Sequence, residues 1–519
     1  MAKVNTSSKG KNKTINYMGA EAFKQDPRTE LIHAALTTFM EASYYEGKTD
    51  RLDRIIGLVN TVAATNPEFV AKFSIYVRQK FNMRSSFHVL AAQLSRIHRG
   101  DDLVRRLIRT GAIRVDDLVE IACYLGKPLP NQVKKGIADA LTKFDPYQLA
   151  KYRAEGKKFS LVDLFNLCHP KAPANDLKLK AAWKDLIDGK LKSTGANATW
   201  ESRLSSGENK KEVWKDLLSQ RKLGYMACLR NLRNIAATKD EETIQMAIDF
   251  ISNPKAVANS KQLPFRFLSA YKALTTASQS DSFVGLSFEK RSGSDLENSI
   301  LSAVEKAITH SCMNIPDLLG ETVILSDNSG SMRGDSGGKS PVSAYSQRRT
   351  SDIANLFALM YWTRAENTYV GLFGDNLIKP RLNRSKGLFE NFDILNSYAR
   401  KCGPGTEAGV FDAFEKLLEG RQKPDRIVIF SDCQVGKSAW YGMESGQTCE
   451  SFNKLFQRFR RFSPDTMVYS IDLRGYGNTL FSDGVIELAG WSDKIFELME
   501  LAETDKQALI KEIEAIQLV

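Results

Sequence analysis

The chain has 519 residues, 42% of them hydrophobic and 26% charged, with a formal net charge of +12. That length exceeds one ordinary core and implies two or more domains, and the composition is that of a globular protein rather than a disordered or fibrous one. No run approaches the ~18 apolar residues of a membrane span. Residues 1–15, rich in Lys, Ser and Asn, hold no apolar signal-peptide core and read as a flexible basic terminus. The seven cysteines are scattered, odd in number and form no C-x-x-C. A disulfide scaffold is therefore excluded, and reduced thiols and a cytoplasmic location are expected.

Residues 16–316 read as helix after helix. Asp26-Pro27 is a start signal, a capping carboxylate followed by Pro at the first helical position. Leu31, Ile32, Ala35, Leu36, Phe39 and Met40 follow at helical spacing. The same periodicity predicts helices over Leu52–Val62, Phe69–Phe81, Phe87–Ile97, Leu103–Ile108, Val133–Leu141, Leu223–Ile235, Thr243–Ile251 and Phe265–Leu274. Short breaks at Gly, Pro or Asn separate them. Many short antiparallel helices in a row suggest a helical-repeat solenoid.

The pattern changes near residue 317. Strands are expected at Glu321–Ser326, Tyr369–Phe373, Ile427–Ser431 and Met467–Ile471. Helices are expected between them at Tyr345–Ala365, Glu407–Leu418 and Cys449–Phe462, with a closing helix over Asp505–Leu518. Alternating strands and helices imply a parallel sheet covered on both faces over residues 317–519.

Charge divides at the same place. Residues 1–316 hold 49 Lys+Arg against 33 Asp+Glu, and residues 317–519 hold 24 against 28. The surplus of positive charge belongs to the helical part, where it points to a polyanion, nucleic acid first. Basic and aromatic residues interleave there. Arg84 and His88 lead to Arg96 and Arg99, Lys134 and Lys135 precede Lys151-Tyr-Arg153, and His169 follows. Phosphates need such cations, and unpaired bases stack on rings and guanidinium planes.

In the second part, Asp327-Asn-Ser329-Gly-Ser331 ends the first strand, Asp432 ends a later one, and Cys402-Gly-Pro-Gly-Thr406 lies between. Ligands of open α/β sheets bind at the carboxyl ends of strands. Two carboxylates and three hydroxyls make an all-oxygen shell suited to one divalent ion, Mg²⁺ first and Mn²⁺ second. Gly334–Gly338 and Gly338-Lys-Ser340 mimic protease and P-loop motifs but lack their context, and no His-Glu-x-x-His occurs. No nucleophile and base stand together, so an enzyme is not expected.

The oxygen set resembles the metal-ion-dependent adhesion site of von Willebrand factor A domains. That resemblance implies direct ligation by Ser329, Ser331 and Thr406, Asp327 and Asp432 bound through water, and a position left open for a partner's carboxylate. Phe81–Leu90, Phe159–Pro170, Tyr225–Asn234 and Leu263–Tyr271 resemble segments of the TROVE module. A TROVE module at 16–316 followed by an A domain at 317–519 is the architecture of the Ro ribonucleoprotein family, most like its bacterial or phage members. The resemblance implies a ring of HEAT-like helices closed by a doubly wound, Rossmann-like A domain, self-closed and so monomeric. It implies small noncoding Y RNA on a basic outer surface and the single-stranded 3′ ends of misfolded RNAs in a central hole. It also implies a ring-shaped exoribonuclease tethered through RNA. By local match it carries RNA contact to Lys151, Arg153 and His169; Lys134, Lys135, Arg84, His88, Arg96 and Arg99 are added from charge placement. A metal-dependent protein adaptor and a metal-using ribonuclease are the competing readings.

Overall fold

Pairs of a capping side chain and a proline start several helices, as the sequence leads one to expect. Asp26 accepts from the N–H groups of Arg28 and Thr29 ahead of helix Pro27–Leu36. Asn66, Asp145 and Asn253 do the same for Pro67–Gln79, Pro146–Lys151 and Pro254–Ser260. The structure, a computed structural model, describes residues 12–193, 198–277, 295–312, 315, 318–334, 342, 348–406, 409–436, 451–505 and 507–519. The motif residues 335–340, the first residues of the helices expected from Tyr345, Glu407 and Cys449, and residues 1–11 of the expected flexible terminus lie outside them.

The chain forms two compact units, each discontinuous in sequence. One comprises residues 59–262, 266–311 and 511–519, and the other residues 1–58, 263–265 and 312–510. The expected division at 316/317 is contiguous, whereas in space residues 12–58 join the C-terminal sheet.

The helical unit is a layered repeat. Helix Pro67–Gln79 packs on Arg84–Ile97 and on Leu103–Gly111. Arg84–Ile97 packs on Val115–Leu125, Leu103–Gly111 on Asn131–Leu141, and Asn131–Leu141 on Leu161–Cys168. Each helix thus meets the one two places on, which is how stacked helix pairs share one continuous core. Val104, Ile108, Val133, Ile137, Leu161 and Leu164 belong to that core. The approach is close at Gly136, where an added Cβ would stand 2.9 Å from the Arg105 carbonyl oxygen and 3.0 Å from Ile108 Cβ. The last residues complete the unit: Tyr76 Oη donates to Glu512 Oε2 at 2.7 Å, and the Val519 N–H to Thr110 Oγ1 at 3.0 Å.

In the α/β unit, strands β1 (Lys13–Ile15), β2 (Glu21–Lys24), β3 (Leu318–Asp327), β4 (Ala365–Phe373), β5 (Leu377–Ile378), β6 (Arg426–Ser431), β7 (Met467–Asp472), β8 (Asn478–Thr479) and β9 (Ile486–Ala489) form two sheets. The larger has the order β5-β4-β3-β6-β7-β9, parallel except for the β4–β5 pair. The smaller, β1-β2-β8, is antiparallel. Val323, Leu325, Ile427 and Ile429 pack on one face against Phe414, Phe452, Phe456 and Phe459. On the other, Phe357 of helix Thr350–Arg364 meets Phe430 and Phe496. Helices on both faces make this the doubly wound, Rossmann-like architecture expected. The chain leaves β3 toward β4 and returns on its other side at β6, so the switch point lies at the carboxyl ends of β3 and β6.

Gly136→Val should destabilise the helical unit by about 1–3 kcal/mol through overpacking against helix Leu103–Gly111, read from urea unfolding. Unchanged unfolding would show that the helix pair tolerates wider spacing.

Candidate functional site

The metal-type residues converge at the switch point. Asp327 closes β3, and Asp432 follows the last residue of β6. Asp327 Oδ1 accepts from the Ser329 N–H at 2.9 Å and Oδ2 from Ser431 Oγ at 2.7 Å. Ser329 Oγ lies 3.2 Å from Ser331 Oγ. The Gly330 N–H donates to the Pro404 carbonyl at 2.7 Å, tying this loop to the one that carries Thr406. Thr406 Oγ1 donates to the Gln434 carbonyl at 3.3 Å and accepts from the Gly436 N–H at 2.9 Å. Asp432 Oδ1 accepts from the Gln434 N–H at 3.1 Å.

All five side chains are buried. Two carboxylates so placed resist ionisation: burial raises the Asp327 carboxyl, while burial and Asp327 push that of Asp432 up to about 7 against the pull of Ser331 and the Gln434 N–H. Asp432 Oδ2 is buried without a hydrogen-bond partner. An unsatisfied carboxylate oxygen, a second carboxylate beside it and three hydroxyls are the donor set of a hard divalent cation. Among the described residues no group of three or more His, Cys, Asp or Glu could hold a metal, so this candidate depends on its hydroxyls.

Two contributors lacked a clear sequence signal. Ser431 sits beside Asp432 but reads as one more strand residue. Tyr45, far away in sequence, stands edge-on to Tyr476 at 5.4 Å and stacks on Tyr17, whose N–H donates to Gln434 Oε1.

The basic residues divide into two sets. Arg84 and His88, expected on an RNA surface, are turned into the helix packing. His88 Nε2 is 2.8 Å from Asp117 Oδ1, and Arg84 meets Asp116 at 2.7 Å and Asp117 at 3.3 Å. Arg78 joins Asp117 at 3.0 Å. Burial alone would raise the Asp117 carboxyl, but His88, Arg78 and Arg84 together hold it well below the usual carboxylate range. This corrects the surface reading of His88, which is buried, and leaves Arg84 mainly a structural partner. Arg153 is also partly committed, donating to the Leu191 carbonyl at 2.9 Å and pairing with Glu155 at 2.9 Å.

The second set faces outward. Lys135 and His169 are exposed, and Lys134 is half-buried beside Cys168, where helix Asn131–Leu141 meets helix Leu161–Cys168. Lys151 Nζ lies 5.7 Å from the Tyr147 ring and 5.6 Å from the Tyr152 ring, and the Arg114 guanidinium stands 4.3 Å from the latter. Cations beside accessible rings suit phosphate and base together; Tyr147 and Arg114 extend the expected set. Arg96 and Arg99 are exposed, with Arg96 bonded to the Tyr124 carbonyl.

The family described as TROVE domain matches residues 18–188 and 173–318. Telomerase protein component 1 of Rattus norvegicus is 24% identical over 298 residues, and that of Mus musculus 23% over 303. These matches cover 41% and 42% of this chain but only 11% and 12% of those much longer proteins. The crystal structure of the Deinococcus radiodurans RO (RSR) protein is similar in fold, with a TM-score of 0.57 and 16% identity over 94% of this chain and 100% of that one.

Asp117→Ala should cost about 3–5 kcal/mol, because it strands Arg78, Arg84 and His88 without their shared anion. The wild-type contribution is present above the unfolded carboxyl pKa and is lost as pH falls toward the depressed folded value. The difference in stability between wild type and variant should therefore shrink on acidification. A pH-independent difference would assign the effect to packing.

Proposed function

Because this chain belongs to the TROVE domain family, we propose that it is an RNA-binding ribonucleoprotein component acting in noncoding RNA quality control. It takes a small structured RNA of the Y type on the surface of its helical unit. The observation that carries this reading is the positive surplus of residues 1–316, part of which is presented as Lys135, His169 and Lys151 beside Tyr147 and Tyr152. Binding of misfolded RNA 3′ ends in a central hole, and tethering of a ring-shaped exoribonuclease through RNA, follow from the Ro resemblance. A cytoplasmic, monomeric protein with no membrane role completes the reading. Among the described residues no helix is long and apolar enough to cross a membrane.

The α/β unit supports a second reading, a metal-dependent protein adaptor, through the unpartnered Asp432 Oδ2. Ser329, Ser331 and Thr406 would hold Mg²⁺, or Mn²⁺, with Asp327 and Asp432 balancing its charge; when bound, the ion supplies a Lewis-acidic point for an oxygen ligand. A single ion held largely by hydroxyls is a poor source of hydroxide beside paired-carboxylate two-metal sites, so we assign it no cleavage of RNA.

RNA affinity should fall steeply with salt, by roughly 10³-fold between about 50 and about 200 mM if six or more phosphates are neutralised; fluorescence anisotropy with a labelled hairpin RNA measures it, and a flat profile would refute phosphate-driven binding. Combining Lys134→Glu, Lys135→Glu and Lys151→Glu should weaken binding by about tenfold or more with the thermal melt unchanged. Wild-type affinity in that folded variant would move the RNA elsewhere. Chelating divalent ions should leave RNA binding intact, whereas the adaptor reading predicts that it abolishes binding of a partner protein; labelled RNA incubated with protein and Mg²⁺ should stay whole, whereas the ribonuclease reading predicts cleavage.

A further inference from the structure

Asn16 stands at the turn that joins β1 to β2, and its amide bonds in two directions. Oδ1 accepts from the N–H groups of Met18 and Ala20, each at 3.0 Å, and so closes the turn. Nδ2 donates to the Val435 carbonyl at 2.8 Å, and the Tyr17 N–H to Gln434 Oε1 at 2.8 Å. The Gln434 side chain is buried, and its Nε2 donates to the Asp432 carbonyl at 3.2 Å and to Asn478 Oδ1 of β8 at 3.0 Å. β8 is also the strand that pairs with β2. The hairpin of β1 and β2 is therefore bonded to the loop after β6 both directly and through β8.

The backbone of that loop holds two candidate ligands. The Gln434 N–H donates to Asp432 Oδ1 at 3.1 Å, and its carbonyl accepts from Thr406 Oγ1 at 3.3 Å, while the Gly436 N–H donates to the same Oγ1 at 2.9 Å. Between Asp432 and Gln434, Cys433 has a φ of 61°. A residue other than Gly keeps that left-handed conformation where its surroundings hold it. Releasing the hairpin turn would leave the Val435 carbonyl and Gln434 Oε1 without these partners in a buried place, which is costly, so the loop would rearrange and carry Asp432 and Thr406 with it.

We propose that Gln434 is a positioning residue that couples the candidate metal site to the N-terminal hairpin, residues 13–24, so that a bound ion favours the docked hairpin and the docked hairpin favours the ion. The inference rests on the metal-binding reading above. Such a coupling is reciprocal, each event strengthening the other by the same factor.

Mn²⁺ is the probe, added to the full chain and counted by electron paramagnetic resonance, with hydrogen–deuterium exchange followed over residues 13–24. In the wild type, saturating Mn²⁺ should slow exchange across the hairpin by about tenfold and leave helix Lys494–Thr504 of the same unit unchanged. Gln434→Met keeps the backbone groups that meet Asp432 and Thr406 and removes the side-chain bonds. It should bind Mn²⁺ about tenfold more weakly and lose the ion-dependent protection of the hairpin. Asn16→Ala alters no candidate ligand and should weaken Mn²⁺ binding in the same direction. A residue that only stabilised the fold would leave the hairpin's response to the ion in place. Mn²⁺ that binds the wild type without slowing hairpin exchange, or wild-type affinity in a folded Asn16→Ala chain, would overturn the inference and leave the metal reading standing. A wild-type chain that binds no more Mn²⁺ than Asp432→Asn would overturn both.

Discussion

Asp327 and Asp432 end neighbouring parallel strands, buried, with their charges facing one another. Bringing two carboxylates together out of water is costly, and hydrogen bonds from Ser431, Ser329 and the Gln434 N–H offset only part of that cost. The loops around them are organised by that cost. The Gly330 N–H reaches to Pro404, Thr406 bridges Gln434 and Gly436, and Asn16 and Tyr17 clamp the residues that follow Asp432. A divalent ion would remove the remaining repulsion, which is why the donor set reads as a site and not as an accident of packing.

The helical unit solves the opposite problem. Asp117 is as deeply buried, but three cationic or potentially cationic side chains and the N–H groups of Ile113 and Arg114 converge on it. Its charge is satisfied by protein alone and needs no ion. The same arrangement withdraws Arg78, Arg84 and His88 from any surface role. The positive surplus of this region is therefore not all surface charge, and the RNA-facing share belongs to side chains such as Lys135 and Lys151 that are not held by a carboxylate in the described structure.

This contrast explains what the sequence could and could not reveal. The helices were legible because caps, prolines and apolar spacing are local, and the convergence of the oxygen side chains because Asp327, Ser329 and Ser331 alternate within one loop and Asp432 follows a recognisable strand. The burial of His88 was not legible, since its partner Asp117 lies a helix pair away and one charge run looks like another until its counter-ions are known. The short strands β1, β2 and β8 carry too few residues for a period, and with them went the attachment of residues 12–58 to the sheet unit. Tyr45 gave no signal for the same reason: a ring contact with Tyr476 across most of the chain leaves no spacing to read.

Attachment of the N-terminal segment bears on which job the metal site can have. An adhesion-type site works by leaving the ion a ligand position that a partner's carboxylate can enter. Here the residues flanking Tyr45 are held by Arg51 and Arg54 to the loop after β7, and its ring is packed between Tyr17 and Tyr476. Any partner reaching an ion there would meet a stretch of chain already held over the loop after β7, so the adaptor reading requires an interface that accommodates that stretch.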